Sequence, residues 1–136
     1  MEETKLKNGK TKTNWATKSA LPAGIGKLPP QALDLEEAVL GALMLEKDAL
    51  TTVIDILKPQ SFYKDAHQRI FGAIIGLFDK SEPIDILTVT HELRERGELE
   101  MAGGAYYITQ LTTRVNSAAN IEFHARIITE NAIKRD

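Results

Sequence analysis

The sequence contains no cysteine, and this absence excludes several kinds of site. Without thiols the chain has no disulfide framework, no cysteine nucleophile and no cysteine metal ligand. No apolar run approaches the roughly 20 residues that a membrane span needs, and no apolar segment follows the N-terminal charges as in a signal peptide. Hydrophobic residues nevertheless make up 43% of the 136 residues, enough for one core. We therefore expect a cytoplasmic protein with a single folded domain and no membrane association.

Charge is distributed unevenly along the chain. Residues 1–28 contain six lysines and two glutamates, for a net charge of +4, and the rest has a net charge of −6. The first 28 residues show no hydrophobic period and end in the breakers Pro22, Gly24 and Gly26. Such a segment buries too little apolar surface to offset the entropy lost on ordering. We predict a disordered basic tail over 1–28 and a folded domain over 29–136.

From Asp34 onward, apolar residues recur every three or four positions, which is the period of an amphipathic helix. The β-branched run Ile84–Val89 would also suit a strand, but the cap signals on either side of it favour a helix. The pattern predicts an all-α fold, a compact six-helix orthogonal bundle preceded by the tail. In chain order, the predicted helices begin near Asp34, Leu50, Asp65, Asp85, Gly103 and Ser117.

Three polar residues stand where helix N-caps belong. Asp34 and Glu37 have the spacing of a capping box. Asp85 follows Pro83 and precedes a helical run, and Ser117 precedes the last predicted helix. We assign Asp34, Asp85 and Ser117 to helix capping and not to function.

The fragments of catalytic and cofactor motifs are all incomplete. Residues 9–11 resemble the end of a phosphate-binding P-loop, but Thr4 stands where that motif needs glycine. Residues 24–26 lack the third glycine of a dinucleotide fingerprint. His91 begins a zinc-protease motif, but Glu95 stands where the second histidine belongs. We predict no catalytic residue, no cofactor-binding residue and no metal ligand, so this chain is not expected to be an enzyme.

The histidines and most glutamates are expected to be structural. His67, His91 and His124 lie far apart without ligand spacing, and each is expected to be partly exposed or hydrogen-bonded. The glutamates that fall at positions typical of helix caps or solvated faces are Glu36, Glu37, Glu46, Glu92, Glu95, Glu122 and Glu130.

The folded region carries a series of short signatures in a fixed order. They are residues 35–42, Phe62-Tyr63, residues 66–68 with Ile70-Phe71, residues 83–85, Gly97 with Leu99, Gly103-Gly104 with Tyr107, residues 118–120, and Ala125 with Ile127. In this order and spacing, the chain resembles the N-terminal domain of DnaB-type bacterial replicative DNA helicases over roughly 29–135. It departs from the family's usual residues at Asn116, His124, Gly72 and Gly76.

The resemblance implies a role in DNA replication. In this family the domain precedes a helical hairpin, a linker and a RecA-like motor that uses ATP and Mg²⁺ to unwind DNA at the replication fork. The N-terminal domains form a collar on the hexameric ring and bind primase of the DnaG type. We expect this chain to support hexamer assembly and to recruit primase, with a helicase loader as a further candidate partner. Because the motor and hairpin are expected to lie beyond these residues, we expect a monomer or weak dimer without ATP hydrolysis.

Four residues are candidates for a protein interface. Gly72 and Gly76 fall inside a predicted helix, where each costs about 1 kcal/mol relative to alanine, so they mark a weak turn or a closely packed neighbour. Tyr107 is in line with Leu111 and is expected in the core, which turns Tyr106 about 100° away. Exposed tyrosine is a common interface anchor. The candidates are Tyr106, Tyr107, Gly72 and Gly76.

The main alternative is a small helix-turn-helix DNA-binding domain. The acidic folded region and the lack of a recognition helix rich in arginine and lysine weigh against it. We therefore expect little or no DNA binding.

Overall fold

The computed structural model describes residues 30–113 and 120–135, in which all regular elements are helices and there is no strand. This confirms the predicted all-α fold. A short 3-10 turn, Pro59–Ser61, lies between the second and third helices. The predicted tail over 1–28 and the predicted cap at Ser117 lie outside the described residues. Within the described ranges the six helices are α1 (Pro30–Leu45), α2 (Ala49–Val53), α3 (Asp65–Asp79), α4 (Ile86–Glu95), α5 (Gly104–Thr113) and α6 (Ile121–Arg135).

The core forms around α1, which packs against α5, α6 and α3. Its buried side chains include Ala32, Val39, Leu40 and Leu43, which recur at the spacing of a helical face. Burying one large aliphatic or aromatic side chain contributes about 1.5–3 kcal/mol. None of the described helices is long and apolar enough to cross a membrane. The largest fully buried side chains are Phe62, Phe71, Leu40, Leu43, Leu57, Ile70, Ile74, Leu77, Leu93, Ile108, Leu111 and Ile128.

The predicted start of the first helix is wrong. The helix α1 begins at Pro30, so the exposed Asp34 lies one turn inside it and is not an N-cap. Proline suits the first turn of a helix because its φ is already helical and it has no amide hydrogen to leave unpaired. Ala32 is buried on the same face as the later core residues, and it extends the helix towards the N-terminus.

Both predicted ends of α4 are correct. The Thr88 amide donates to Asp85 Oδ1 at 2.9 Å, and the Asp85 amide donates to Thr88 Oγ1 at 2.9 Å, which completes a capping box. After the helix, Gly97 has a φ of 72°. The following Glu98 amide donates to the carbonyl of Leu93 at 2.9 Å. A left-handed residue after a helix favours glycine, which explains this stop.

A buried carboxylate connects α4 to the end of α3. Glu92 is 6% exposed, and it accepts hydrogen bonds from Lys80 Nζ at 2.8 Å and from Arg96 Nε at 2.9 Å. The bond from Lys80 and then the bond from Arg96 lower the pKa of Glu92, and the bond to Glu92 raises the pKa of Lys80. The expectation that Glu92 lies on a solvated face is wrong, because it shares the buried face of α4 with Val89 and Leu93.

The side chain of Arg96 lies against two glycines of α3. A Cβ added to Gly72 would lie 3.6 Å from Arg96 Nη1, and one added to Gly76 would overlap Arg96 Nη2. The missing side chain at Gly76 therefore gives the guanidinium room to lie on α3 while its Nε binds Glu92. This is the closely packed neighbour that the paired glycines predicted.

We expect Asp85→Ala to lower the free energy of unfolding by about 0.5–2 kcal/mol, the usual contribution of an N-cap. The reason is that the Thr88 amide loses its acceptor. Asp55→Ala, at an exposed aspartate in the turn after α2, is the matched control and should change stability by less than about 0.5 kcal/mol. Urea unfolding measures both. Equal losses in the two variants would contradict the assignment of Asp85 as a cap.

We expect Gly72→Ala and Gly76→Ala to have different effects on stability. Alanine forms helix better by about 1 kcal/mol, so Gly72→Ala should stabilise the protein by up to that amount. Gly76→Ala should gain less or destabilise, because its Cβ displaces the Arg96 guanidinium. The difference should shrink in an Arg96→Ala background, which chemical denaturation of the four variants can test. A difference of unchanged size in that background would rule out Arg96 as its cause.

We expect the ion pairs of Glu92 to contribute over a defined pH range. Because the pKa of Glu92 is lowered in the fold, its contribution is present above the ordinary value of 4.5 and is lost as the pH falls through the folded-state pKa. The pKa of Lys80 is raised, so its contribution is present below 10.5 and is lost as the pH rises through the folded-state pKa. The stability difference between wild type and Glu92→Gln should therefore shrink in acid, which urea unfolding between about pH 7 and pH 2 would measure. Glu100→Gln, at an exposed glutamate in the turn after α4, should show no such change, and a pH-independent Glu92 difference would refute the assignment.

Candidate functional site

Four polar side chains form a chain of contacts between α1, α3 and α5. Glu36 is 1% exposed and His67 is 0% exposed. Glu36 Oε1 lies 2.7 Å from His67 Nδ1, and His67 Nε2 lies 2.6 Å from the hydroxyl oxygen of Tyr107. The Tyr107 hydroxyl donates to Glu37 Oε2 at 3.1 Å. We refer to Glu36, His67, Tyr107 and Glu37 as the polar chain.

The helical period explains why the first two members of the polar chain are buried. Glu36 is separated by four residues from Ala32 and by four from Leu40, which are both buried. His67 precedes Ile70 and Phe71 by three and four residues, and both are buried on the same face of α3. The expectation of a hydrogen-bonded structural histidine agrees with His67. The expectation that Glu36 is a cap or a solvated residue is wrong.

The carboxylate of Glu36 also holds the start of α3. Its Oε2 accepts the amide of Tyr63 at 2.7 Å, and its Oε1 accepts the amide of Lys64 at 3.5 Å. These amides precede α3. The side chain of Lys64, the N-cap residue of α3, makes no capping hydrogen bond. A negative charge at this position also interacts favourably with the helix dipole. A residue of α1 thus satisfies two backbone amides of the segment that leads into α3.

Tyr107 lies at the edge of the core with its hydroxyl turned inwards. Its ring stacks on His67, with centroids 6.0 Å apart and an interplanar angle of 7°, and Lys64 Nζ lies 4.9 Å from its centroid. Gly103 has a φ of 100°, and a Cβ there would lie 2.6 Å from Tyr107 Cδ2, so glycine is needed at that position. The neighbouring Tyr106 is 76% exposed, as the helical geometry predicted.

The predicted interface residues fall into two separate groups. Tyr106 and Tyr107 lie on α5, whereas Gly72 and Gly76 lie on α3 beside Arg96. At 1.5 Å per residue, Gly76 is about 13 Å along α3 from His67. The packing of Arg96 within the domain explains why glycine stands at position 76, where a Cβ would overlap it. The role of both glycines in a protein interface stays a prediction.

Nothing in this arrangement resembles an open reaction centre. The central imidazole of the polar chain is closed off from solvent, and its contacts join three helices. Residues 30–113 and 120–135 contain no group of three or more side chains that could hold a metal ion. Sequence reasoning missed the pairing of Glu36 with His67. The signal available in the sequence was that both residues stand three or four positions from apolar residues of the same helix.

Family and sequence comparisons identify relatives of this chain. The family described as "DnaB-like helicase N terminal domain" matches residues 28–130. The "Replicative DNA helicase DnaB" of Rhodothermus marinus is 53% identical over 116 residues. The "Replicative DNA helicase DnaC" of Bacillus subtilis (strain 168) is 45% identical over 109 residues. These matches cover 85% and 80% of this chain but only 12% and 24% of the two relatives.

Solved structures give the same assignment. The crystal structure of the N-terminal domain of DnaB helicase from Mycobacterium tuberculosis aligns with a TM-score of 0.74 and 44% identity, and covers 79% of this chain and 75% of that one. A second structure is described as a DnaB-like replicative helicase and its interactions with primase. It aligns with a TM-score of 0.66 and 27% identity, over 74% of this chain and 24% of that one. The chain therefore belongs to the DnaB-like helicase N-terminal domain family.

Proposed function

We propose that this domain is the interaction and assembly module of a bacterial replicative DNA helicase. In this role it recruits primase of the DnaG type and supports assembly of the helicase hexamer. The carrying observation is the family match over residues 28–130, together with a solved relative described with its interactions with primase. We expect a cytoplasmic location, because the relatives are bacterial replicative helicases.

Unwinding of DNA with ATP and Mg²⁺ belongs, in this proposal, to the whole helicase and not to these 136 residues. The chain spans 12% and 24% of two of its curated relatives, and the matching family is an N-terminal domain. We expect little or no DNA binding by the domain. Its helix α5 contains no lysine or arginine, so it lacks the charge of a DNA recognition helix. A helicase loader remains a further candidate partner.

Tyr106 is the residue that we assign to the partner interface. Its ring is 76% exposed on α5, while the neighbouring Tyr107 anchors that helix to His67 at 2.6 Å. A rigidly held helix presents an exposed ring with little further loss of entropy on binding. Tyrosine is enriched among the residues that dominate binding energy at interfaces.

We expect Tyr106→Ala to weaken binding of the primase C-terminal domain by roughly tenfold or more, the effect of losing a dominant interface residue. The melting temperature should hold, because the side chain leaves the core untouched. Phe123→Ala, at an exposed aromatic residue of α6, is the matched control and should bind as wild type does. Isothermal titration calorimetry measures all three proteins. Equal affinity for wild type and Tyr106→Ala would remove Tyr106 from the interface.

We expect the isolated chain to be a monomer or weak dimer, with the hexamer formed by the full-length helicase. A stable oligomer interface usually buries on the order of 1,200–2,000 Å². In the described residues, the exposed large hydrophobic side chains, among them Leu87, Tyr106 and Phe123, are spread over five helices and two turns and do not suggest such areas on two sides of the domain. Sedimentation velocity at micromolar concentration tests this. A persistent hexamer would show that these residues alone close the ring.

A further inference from the structure

An open groove runs along α3, between that helix and the residues that follow α4. Its volume is about 350 Å³, and its lining includes Asp65, Arg69 and Gly72 on one side and Arg96 and Glu98 on the other. Pockets for small molecules are mostly apolar and enclose their ligand, whereas this groove is open and lined by charged side chains. It is therefore better suited to contact with a protein surface. We refer to it as the α3 groove.

One end of the α3 groove carries an excess of negative charge. Arg69 Nε donates to Asp65 Oδ2 at 2.8 Å, and Arg69 Nη1 donates to Glu98 Oε2 at 3.1 Å. Two carboxylates thus share one guanidinium, which leaves a net charge of −1 when all three groups are ionised. The Asp65 side chain is exposed, so a carboxylate at this end is accessible to a partner.

The end formed by Arg96 carries an excess of positive charge. Lys80 and Arg96 both donate to the buried carboxylate of Glu92, at 2.8 and 2.9 Å, so two cations share one carboxylate. Among the described residues, Arg96 donates hydrogen bonds through Nε alone, and its Nη1 lies beside Gly72. A guanidinium has five N–H donors. Arg96 therefore keeps donors with which it can bind a further carboxylate.

The two ends are held at a fixed separation along α3. The acidic end is centred on residues 65–69, and the Arg96 side chain lies over residues 72–76. The centres of these stretches are seven positions apart, which corresponds to about 10 Å at 1.5 Å per residue. Gly72 stands close to the midpoint between them.

The space around Gly72 does not require glycine. A Cβ at this position would lie 3.6 Å from Arg96 Nη1, an ordinary van der Waals distance, whereas a Cβ at Gly76 would overlap Arg96. Gly72 also lies inside a regular helix, where glycine is less stable than alanine. A glycine that lowers helix stability without an internal steric reason indicates that another backbone approaches it from outside the domain.

We propose that the α3 groove is a contact surface between two copies of this chain, related by a two-fold axis that passes close to Gly72. In a two-fold contact each surface meets the same surface turned through half a turn. The acidic end of one copy then faces Arg96 of the second copy, and the reverse pair forms at the other end. The two α3 helices run antiparallel, and Gly72 lets their backbones approach closely. This inference names a surface for the assembly role proposed above and rests on that role.

The charge pattern favours a second copy over an unrelated partner. A surface with one acidic and one basic end is complementary to itself under a two-fold rotation, so both ends gain a partner of opposite sign. Arginine and carboxylate groups can pair through two parallel hydrogen bonds, the strongest geometry for such a contact. The folded region has a net charge of −6, so two copies repel each other outside this surface. The groove also involves few residues, and stable interfaces bury about 1,200 Å² or more, so we expect a weak dimer.

Gly72→Gln tests the contact without weakening the domain. The glutamine side chain would project into the α3 groove, while glutamine forms helix better than glycine. We expect dimerisation to weaken by roughly tenfold or more, because the added side chain overpacks a close contact. The melting temperature should hold or rise. Sedimentation equilibrium of the whole chain, up to millimolar concentration, measures dimerisation.

Thr109→Gln, at an exposed position of α5, is the matched control. It places the same side chain on another helix and should dimerise as wild type does. Asp65→Lys should weaken the dimer, because it places a positive charge opposite Arg96 of the second copy. Equal dimerisation of wild type and Gly72→Gln would overturn the proposal. A wild-type chain that stays monomeric at millimolar concentration would also overturn it.

Amide NMR on dilution of the wild-type chain locates the surface directly. Signals of residues 65–76 and 96–98 should shift as the dimer dissociates, whereas those of α5 should not. Shifts confined to another helix would overturn the α3 groove and leave the assembly role standing. Assembly itself is tested separately by sedimentation of the full-length helicase. A full-length helicase that forms no hexamer would refute the assembly role, whatever the isolated chain does.

Discussion

The packing of this domain depends on one ionisable group inside its core, the carboxylate of Glu36. A carboxylate that is 1% exposed must be satisfied by hydrogen bonds, because the cost of burying it unpaired would exceed the net stability of a small domain. Its partners come from other parts of the chain, His67 at 2.7 Å and the amide of Tyr63 at 2.7 Å. The position of α3 relative to α1 is therefore restricted by direction as well as by apolar contact, since hydrogen bonds are directional and hydrophobic burial is not.

A second buried carboxylate repeats this arrangement on the other side of α3. Glu92 of α4 is held by Lys80 and Arg96, and Arg96 in turn lies on α3 where Gly76 leaves room. Glu36 thus binds groups at the start of α3. Glu92 binds Lys80, which follows the end of α3, and Arg96, whose side chain packs on α3. Apolar side chains supply most of the buried area, while these two polar clusters fix how the helices sit around α3. The two clusters differ in their partners: Glu92 is paired with the cations Lys80 and Arg96, whereas Glu36 is bound by the His67 imidazole and by a backbone amide.

The polar chain fixes the position of α5. Glu36 and His67 are buried, and the Tyr107 hydroxyl joins α5 to them. The result is an exposed Tyr106 on a helix that is tied to two others. The interaction role that we propose for the domain uses this exposed ring on a fixed helix.

The sequence by itself determined the helical architecture and the ends of α4. Apolar spacing predicts helices because the α-helix has a fixed period, and Asp85 and Gly97 report local backbone geometry that depends on their immediate neighbours. The prediction of a cap at Asp34 was wrong for the same reason, since a capping box is a local pattern and α1 begins four residues earlier, at Pro30.

Only the tertiary structure decided which residues meet. Glu36 and His67 are 31 positions apart, and Tyr107 is a further 40 positions along, so no local rule joins them. The helical period does place Glu36 and His67 on buried faces. It does not determine which helix faces pack together, or which residues along two packed helices lie opposite each other. That is set by the packing of all the helices at once, because a buried charge and its partner are selected by three-dimensional position and not by spacing along the chain.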